Sequence, residues 1–202
     1  MKDVRLTHIG GPTVLIEVGG WRLLTDPTFD PPGRRYFFGW GTMSRKLAGP
    51  AVAAATLPPI DITATPCRHG PPLSHPIVGD VIGFALRWDG QQDGVLWISG
   101  DTVLYDGLRQ VADRLQVDTA LLHLGGVRFG VSGPVRYTMT ARDAVELCGL
   151  VRPRTAIPIH YEGWKHFRQG RAAIEREWAA APDGVRERIR WLPIGVAVDL
   201  GV

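Results

Sequence analysis

His69 closes the run ITATPCRH, Asp101 closes GVLWISGD and His160 closes RTAIPIH. Each follows an apolar, β-like stretch at the point where a turn begins. Loops at strand ends, held by a rigid sheet, commonly carry catalytic groups. Two imidazoles and one carboxylate match a catalytic zinc site, which keeps three protein ligands and one open position. They match the facial triad of non-haem iron equally well. Each residue also has a plain structural use: an Asp caps a turn, and a His satisfies a buried hydrogen bond.

Other residues fall near these three. His123, in LLHLGG, ends a strand on the same side and is expected to line a pocket. Tyr161 and Trp164 follow His160 closely and are candidates for substrate contact, whereas His166 is read as the start of a helix. Tyr36, Phe37, Phe38 and Trp40, beside Arg34 and Arg35, suggest a lid with a cationic edge for a phosphate or carboxylate. The alternative is that these aromatics only pack their own loop down. Asp26 precedes a proline, an ordinary turn former. His8 is read as structural. Cys67 and His69 share one face of an extended segment, but no orienting group for a thiolate–imidazole pair can be read from the sequence. G-x-S-x-G, H-E-x-x-H, Walker and G-x-G-x-x-G motifs are absent.

The elements that must position these residues begin with β structure. VRLTHI, TVLIEV and WRLLTD are strand candidates, and the Gly19-Gly20 link between the last two signals a hairpin. A long Gly/Pro/aromatic loop follows. VIGFALRW, GVLWISG, DTALLHL and RTAIPIH are further strand candidates. Helical spacing appears in YDGLRQVADRLQ, where Leu108, Val111, Ala112 and Leu115 share a face. TARDAVELCGL opens on Thr140 with Asp143 three residues on, a variant of the capping box. HFRQGRAAIEREWAAA reads as a helix ended by Pro182. WLPIGVAVDL closes with β structure. Hairpins followed by alternating strands and helices suit packed sheets with helices outside, an α/β (α+β) class.

The 202 residues are taken as one domain spanning 1–202, large enough for a real core. Apolar residues make up 45% and charged residues 21%, values of a soluble globular protein. The net charge of +3 comes from scattered basic residues, which argues against a nucleic-acid partner. Cys67 and Cys148 are the only cysteines and make no disulfide scaffold. MKDVRLTHIGG has no apolar signal-peptide core, and no apolar run approaches the ~20 residues that span a bilayer. The expected location is the cytoplasm, with no membrane partner.

LTHIGGPTVLIEVGGWRLLTDPTF, WISGDT and IPIHYEGW resemble the metallo-β-lactamase-fold hydrolases. Within them they are most similar to the branch that includes ascorbate-6-phosphate lactonase. The likeness runs over nearly the whole chain. It implies an αβ/βα sandwich with the site at one edge of two facing sheets. It also implies one or two divalent metal ions, zinc or manganese, and hydrolysis of a small ester, lactone or phosphodiester. On that resemblance His69 matches a histidine ligand, Asp101 the aspartate that bridges two metals, and His160 the last histidine ligand. Asp101 is then also the catalytic carboxylate, and His123, Tyr161, Trp164 and Arg34 are the substrate-contact candidates.

The family's H-x-H-x-D-H motif should follow LPPID, and this chain has none. Asp61 joins Ile62 directly, so the sandwich is expected to be shortened by an internal loss at that bond. The nearest imitation, LSHPIVGD, puts Ile77, Gly79 and Asp80 where His, Asp and His are needed, and is read as a Pro-containing turn. The expectation is therefore a hydrolase with a reduced site: one divalent metal ion held weakly, or not at all, by His69, Asp101 and His160. The alternative is a catalytically inactive relative, a binding module or internal-deletion form. The expected substrate is a small, anionic molecule. Loss of a strand is expected to expose a sheet edge and promote self-association or low stability, unless ITATP moves into the vacated slot.

Overall fold

The computed structural model describes residues 4–18, 20–26, 32–37, 42–48 and 61–200. Phe38, Trp40 and the LPPI of LPPID lie outside the described residues.

Three alternating segments form the first antiparallel block: β1 (Val4–Gly10), β2 (Thr13–Val18) and β3 (Trp21–Thr25). The long loop that follows holds a small ribbon of β4 (Arg35–Phe37) and β5 (Met43–Arg45). The expectation of an unstructured loop missed it, because three-residue strands carry no readable alternation. Contacts outside the ribbon hold it: Leu47 N–H donates to Gly163 O at 2.6 Å, Lys165 N–H to Arg45 O at 3.2 Å, and Tyr36 meets Trp164 edge-on at 5.6 Å.

Beyond it come β6 (Asp61–Thr65), the single turn α1 (His75–Val78), β7 (Gly83–Arg87) and β8 (Val95–Ile98). A 3-10 turn at Asp106–Leu108 leads into α2 (Arg109–Arg114). Then follow β9 (Val117–His123), α3 (Ala141–Val151), β10 (Thr155–Ile159), α4 (Arg171–Ala179), α5 (Asp183–Arg186) and β11 (Ala197–Asp199). The capping box is complete: Thr140 Oγ1 accepts from Asp143 N at 3.2 Å, and Asp143 Oδ2 accepts from Thr140 N at 2.8 Å. The α4 helix starts later than its periodicity suggests. The N–H groups of Arg168 and Gln169 both donate to Gly125 O, which commits that stretch to a turn.

Four strands in the order β11-β1-β2-β3 make one antiparallel sheet, and five in the order β10-β9-β8-β7-β6 make the other. The β8, β9 and β10 strands run parallel, while β7 and β6 are antiparallel. One apolar layer lies between the sheets, with Leu6, Val14, Ile16 facing Ile98, Leu121 and Ile157. A second lies between the five-stranded sheet and the helices, around Trp97, Leu122, Leu147, Ile174 and Trp178. The two facing sheets are those expected; among the described residues the helices pack on the five-stranded sheet. The Asp61–Ile62 bond lies inside a continuous strand, with Asp61 opposite Arg87 and Ile62 opposite Leu86. ITATP therefore belongs to the five-stranded sheet, where Thr65 Oγ1 accepts from Trp97 Nε1 at 3.0 Å. Among the described residues, β3 and β6 are terminal strands of their sheets.

Candidate functional site

Asp101 follows β8 through a tight turn. Gly100 has φ +65°, and a Cβ there would stand 2.7 Å from Ile82 O, so only glycine fits. The turn aims Asp101 at His160, whose Nε2 lies 3.5 Å from Asp101 Oδ2. His160 follows β10 with φ +58°, an uncommon conformation for a non-glycine residue. Its Nδ1 lies 3.2 Å from Leu124 O, so Nδ1 carries the proton and donates. Held in that tautomer, a neutral His160 turns an Nε2 lone pair toward a carboxylate. Two electron-pair donors facing each other form a place for a cation or a shared proton. Asp101 Oδ1 is buried and has no hydrogen-bond partner.

The electrostatics agree with this geometry. Burial raises the Asp101 carboxyl, but the imidazoles of His160, His123, His69 and His166 outweigh it, and the group stays below its ordinary range. Burial lowers His160 against the opposing pull of Asp101, and lowers His69 in the same way. Both are thus neutral near neutral pH, the form in which imidazole binds a metal. His166 is pushed down to about 3 by burial and then by His160. It lies between Phe129, at 4.9 Å, and Phe167, at 4.8 Å.

His123 is buried at the end of β9. Its Nε2 lies 3.0 Å from Asp26 Oδ2, and its Nδ1 3.4 Å from Ser99 Oγ. Burial alone would lower it; the hydrogen bond and charge of Asp26 overcome that and raise it. Asp26 itself sits at φ +39°. Two non-glycine residues in the left-handed region at one site match the tendency of backbone strain to collect at functional positions.

A cavity of about 620 Å³ opens beside these groups. Asp26, His69 and Asp101 line one end, and Leu23, Leu24, Ile62, Phe84, Leu86 and Ile98 line the rest. The structure thus brings His69, Asp101 and His160 into one neighbourhood, with His123 behind Asp26. Tyr161 instead packs edge-on against Trp191 at 5.5 Å in the helix-side core. Trp164 anchors the β4–β5 ribbon, Arg34 is exposed beside it, and His123, expected to line the pocket, is fully buried by its bonds to Asp26 and Ser99; none of the four lines the cavity. Cys67 Sγ donates to Asp101 O at 3.5 Å, and burial pushes its thiol up to about 12, so it stays protonated and is no nucleophile. Asp26 carries two readings in the sequence, an ordinary turn former before a proline and, on the family resemblance, a position near the site; the structure places it on the cavity lining.

The donor chemistry suits a divalent cation: neutral imidazoles, an ionised carboxylate with an unpaired oxygen, and a histidine fixed by a backbone carbonyl. The convergence falls short. Among the described residues, no group of three or more His, Cys, Asp or Glu is spaced to hold a metal ion.

Two facing sheets, with helices on the second and strand-end Asp and His residues gathered at one edge, define a metallo-β-lactamase fold. The model of the beta-lactamase superfamily domain matches residues 33–161, and the chain belongs to that family. It is 30% identical over 125 residues to a UPF0173 metal-dependent hydrolase of Methanoregula boonei, covering 58% of this chain and 51% of that protein. A protein of the same name from Opitutus terrae is 39% identical over 111 residues, 52% of this chain and 43% of that one. The chain spans about half the length of the curated relatives it matches. Among solved structures, an isothiocyanate hydrolase from Delia radicum gut bacteria superposes with a TM-score of 0.76 at 15% identity, over 96% of this chain and 98% of that one. A metallo hydrolase from Ignicoccus hospitalis gives 0.65 at 18%, over 99% of each. These two likenesses concern the fold alone.

Among the described residues, no helix is long and apolar enough to cross a membrane.

Proposed function

We propose that this chain is a metal-dependent hydrolase of the β-lactamase superfamily with a reduced site, acting on a small ester, lactone or phosphodiester. The observation that carries this reading is the Asp101–His160 pair, two donors held 3.5 Å apart with an unpaired buried carboxylate oxygen beside them. His69, Asp101 and His160 would hold one zinc or manganese ion, which when bound lowers the pKa of its water to about 7 and polarises the electrophile. The chain's own groups do the rest. Asp101, ionised and on the cavity lining, would accept a proton from an incoming water. Leu124 O fixes His160 in the tautomer that leaves Nε2 available. His123 holds Asp26 in place on the cavity lining, and the cavity gives the substrate a place beside Asp101. The resemblance to the lactonase-like branch makes a lactone the first electrophile to try.

A second reading, a fold kept as a binding module or an internal-deletion form, is favoured by one specific observation: no described group of three donors converges.

Metal analysis of protein purified without added metal, repeated after supplying zinc or manganese, separates the two. The hydrolase reading expects up to one ion per chain, lost in Asp101→Ala. It also expects turnover of one member of an ester, lactone and phosphodiester panel, reduced about 100-fold or more in Asp101→Asn, the scale of a lost general base. No metal under either condition and no turnover would leave the binding module.

A further inference from the structure

The cavity carries information about what enters it. Its 620 Å³ falls within the range of small-ligand sites. Its apolar wall is built from four strands of two sheets: Leu23 and Leu24 on β3, Ile62 on β6, Phe84 and Leu86 on β7, and Ile98 on β8. Ile62 is 51% exposed and Ile82, also on the lining, is 49% exposed, so large apolar groups stand open to water at this wall. The polar end is small and carries two carboxylates, Asp26 and Asp101, with His69. Among the described residues, no Lys or Arg lines the cavity. In the metal-free chain an anionic group placed there would meet the Asp101 carboxylate and an Asp26 carboxylate already paired with His123, with no Lys or Arg to receive it.

We propose that the cavity binds an amphiphile: a neutral or cationic polar head against Asp26, His69 and Asp101, and an aliphatic or aryl body along the Leu24–Ile62–Phe84 wall. As a statement about substrate class, this rests on the hydrolase reading of the polar end; as a statement about binding, it does not. It is a different head group from the anionic one expected from the sequence; Arg34 is exposed and does not line the cavity. Volume and charge favour a small molecule here over a strand from a second copy, which would leave the carboxylates facing apolar side chains.

Calorimetric titration with linear primary amides, from butanamide to octanamide, reads this without any turnover. Affinity is expected to rise about fourfold per added methylene, the gain from burying one CH₂. Carboxylates of equal length are expected to bind about tenfold more weakly, because their charge sits beside Asp26 and Asp101. Ile62→Asp alters a half-exposed position, so the fold should survive, and it should flatten the chain-length dependence. Leu24→Asp should do the same, with circular dichroism and a melting curve showing that each variant is folded. Affinity independent of chain length, tighter binding of carboxylates, or dimerisation with no amide binding would each overturn the proposal. Binding and hydrolysis, read separately on the unaltered chain, keep the two readings apart. Chain-length-dependent binding with no hydrolysis of any ester would sink the hydrolase alone. Hydrolysis of short esters with no chain-length effect would sink the amphiphile alone.

Discussion

Asp101 is useful because of what surrounds it. A carboxylate with imidazoles on several sides stays ionised in a buried place, while burial keeps His69, His160 and His166 unprotonated. That arrangement should appear as acid sensitivity. Burial, and then His160, push His166 down to about 3 from its ordinary 6.5. Between those values the unfolded chain holds a proton that the folded chain does not, so acidification favours unfolding. His69 and His160, also lowered, act in the same direction, and Asp101, held below 3.8, extends the loss to lower pH. His123, raised by Asp26, opposes them: its stabilising contribution is full below 6.5 and fades as pH rises through its folded value. Urea unfolding from neutral pH down to about pH 4 should show stability falling below roughly pH 6.5, and His166→Gln should lessen the slope. An unaltered slope in that variant would mean that His166 does not take part. His69, Asp101 and His160 were legible because each ends an apolar β run. The Asp26–His123 bond was not, because its partners lie 97 residues apart and meet only when the two sheets face each other.

At the scale of elements, short turns set the site's geometry. The turn through Gly100 brings the chain from β8 to Asp101 with the backbone in the left-handed region, against the Ile82 carbonyl. Gly20, at φ +88°, has nothing within 4 Å of the position a Cβ would take. Gly20→Ala should therefore cost only the left-handed penalty, about 1–2 kcal/mol. Gly100→Ala should cost more, because the carbonyl must also move, and should weaken metal uptake or turnover by displacing Asp101. Urea midpoints for the two variants, with metal content for each, test this; equal costs would show that the carbonyl yields freely. Elements with a local signal were legible at this scale. The α3 helix is named by its Thr140–Asp143 box, and β7 to β10 by their apolar runs. The β4–β5 ribbon and the late start of α4 were not, because distant partners impose both: Gly163 and Trp164 on the ribbon, and Gly125 on residues 168–169.

At the scale of the whole molecule, the sandwich has, among the described residues, two terminal strands facing the cavity. The β3 and β6 strands end their sheets among the described residues, and the cavity lies between them. On the family resemblance the H-x-H-x-D-H segment would fall at the Asp61–Ile62 junction, the first bond of β6. An exposed strand edge presents unpaired N–H and C=O groups and invites pairing with another chain. Four of the five residues of β6 are exposed, and no proline interrupts it. The chain is expected to self-associate through β6 as protein concentration rises, seen as growing mass by light scattering after size exclusion. Thr63→Lys places a charge on that edge, on the face away from Ile62 and the cavity wall, and should shift the protein toward monomer. Because Thr63 does not line the cavity, amide binding should be unchanged in this variant. A wild-type chain that stays monodisperse and monomeric at high concentration would show that the β6 edge is protected. Association that persists in Thr63→Lys would move the interface to β3, the other terminal strand flanking the cavity, and then Leu24→Asp should relieve it.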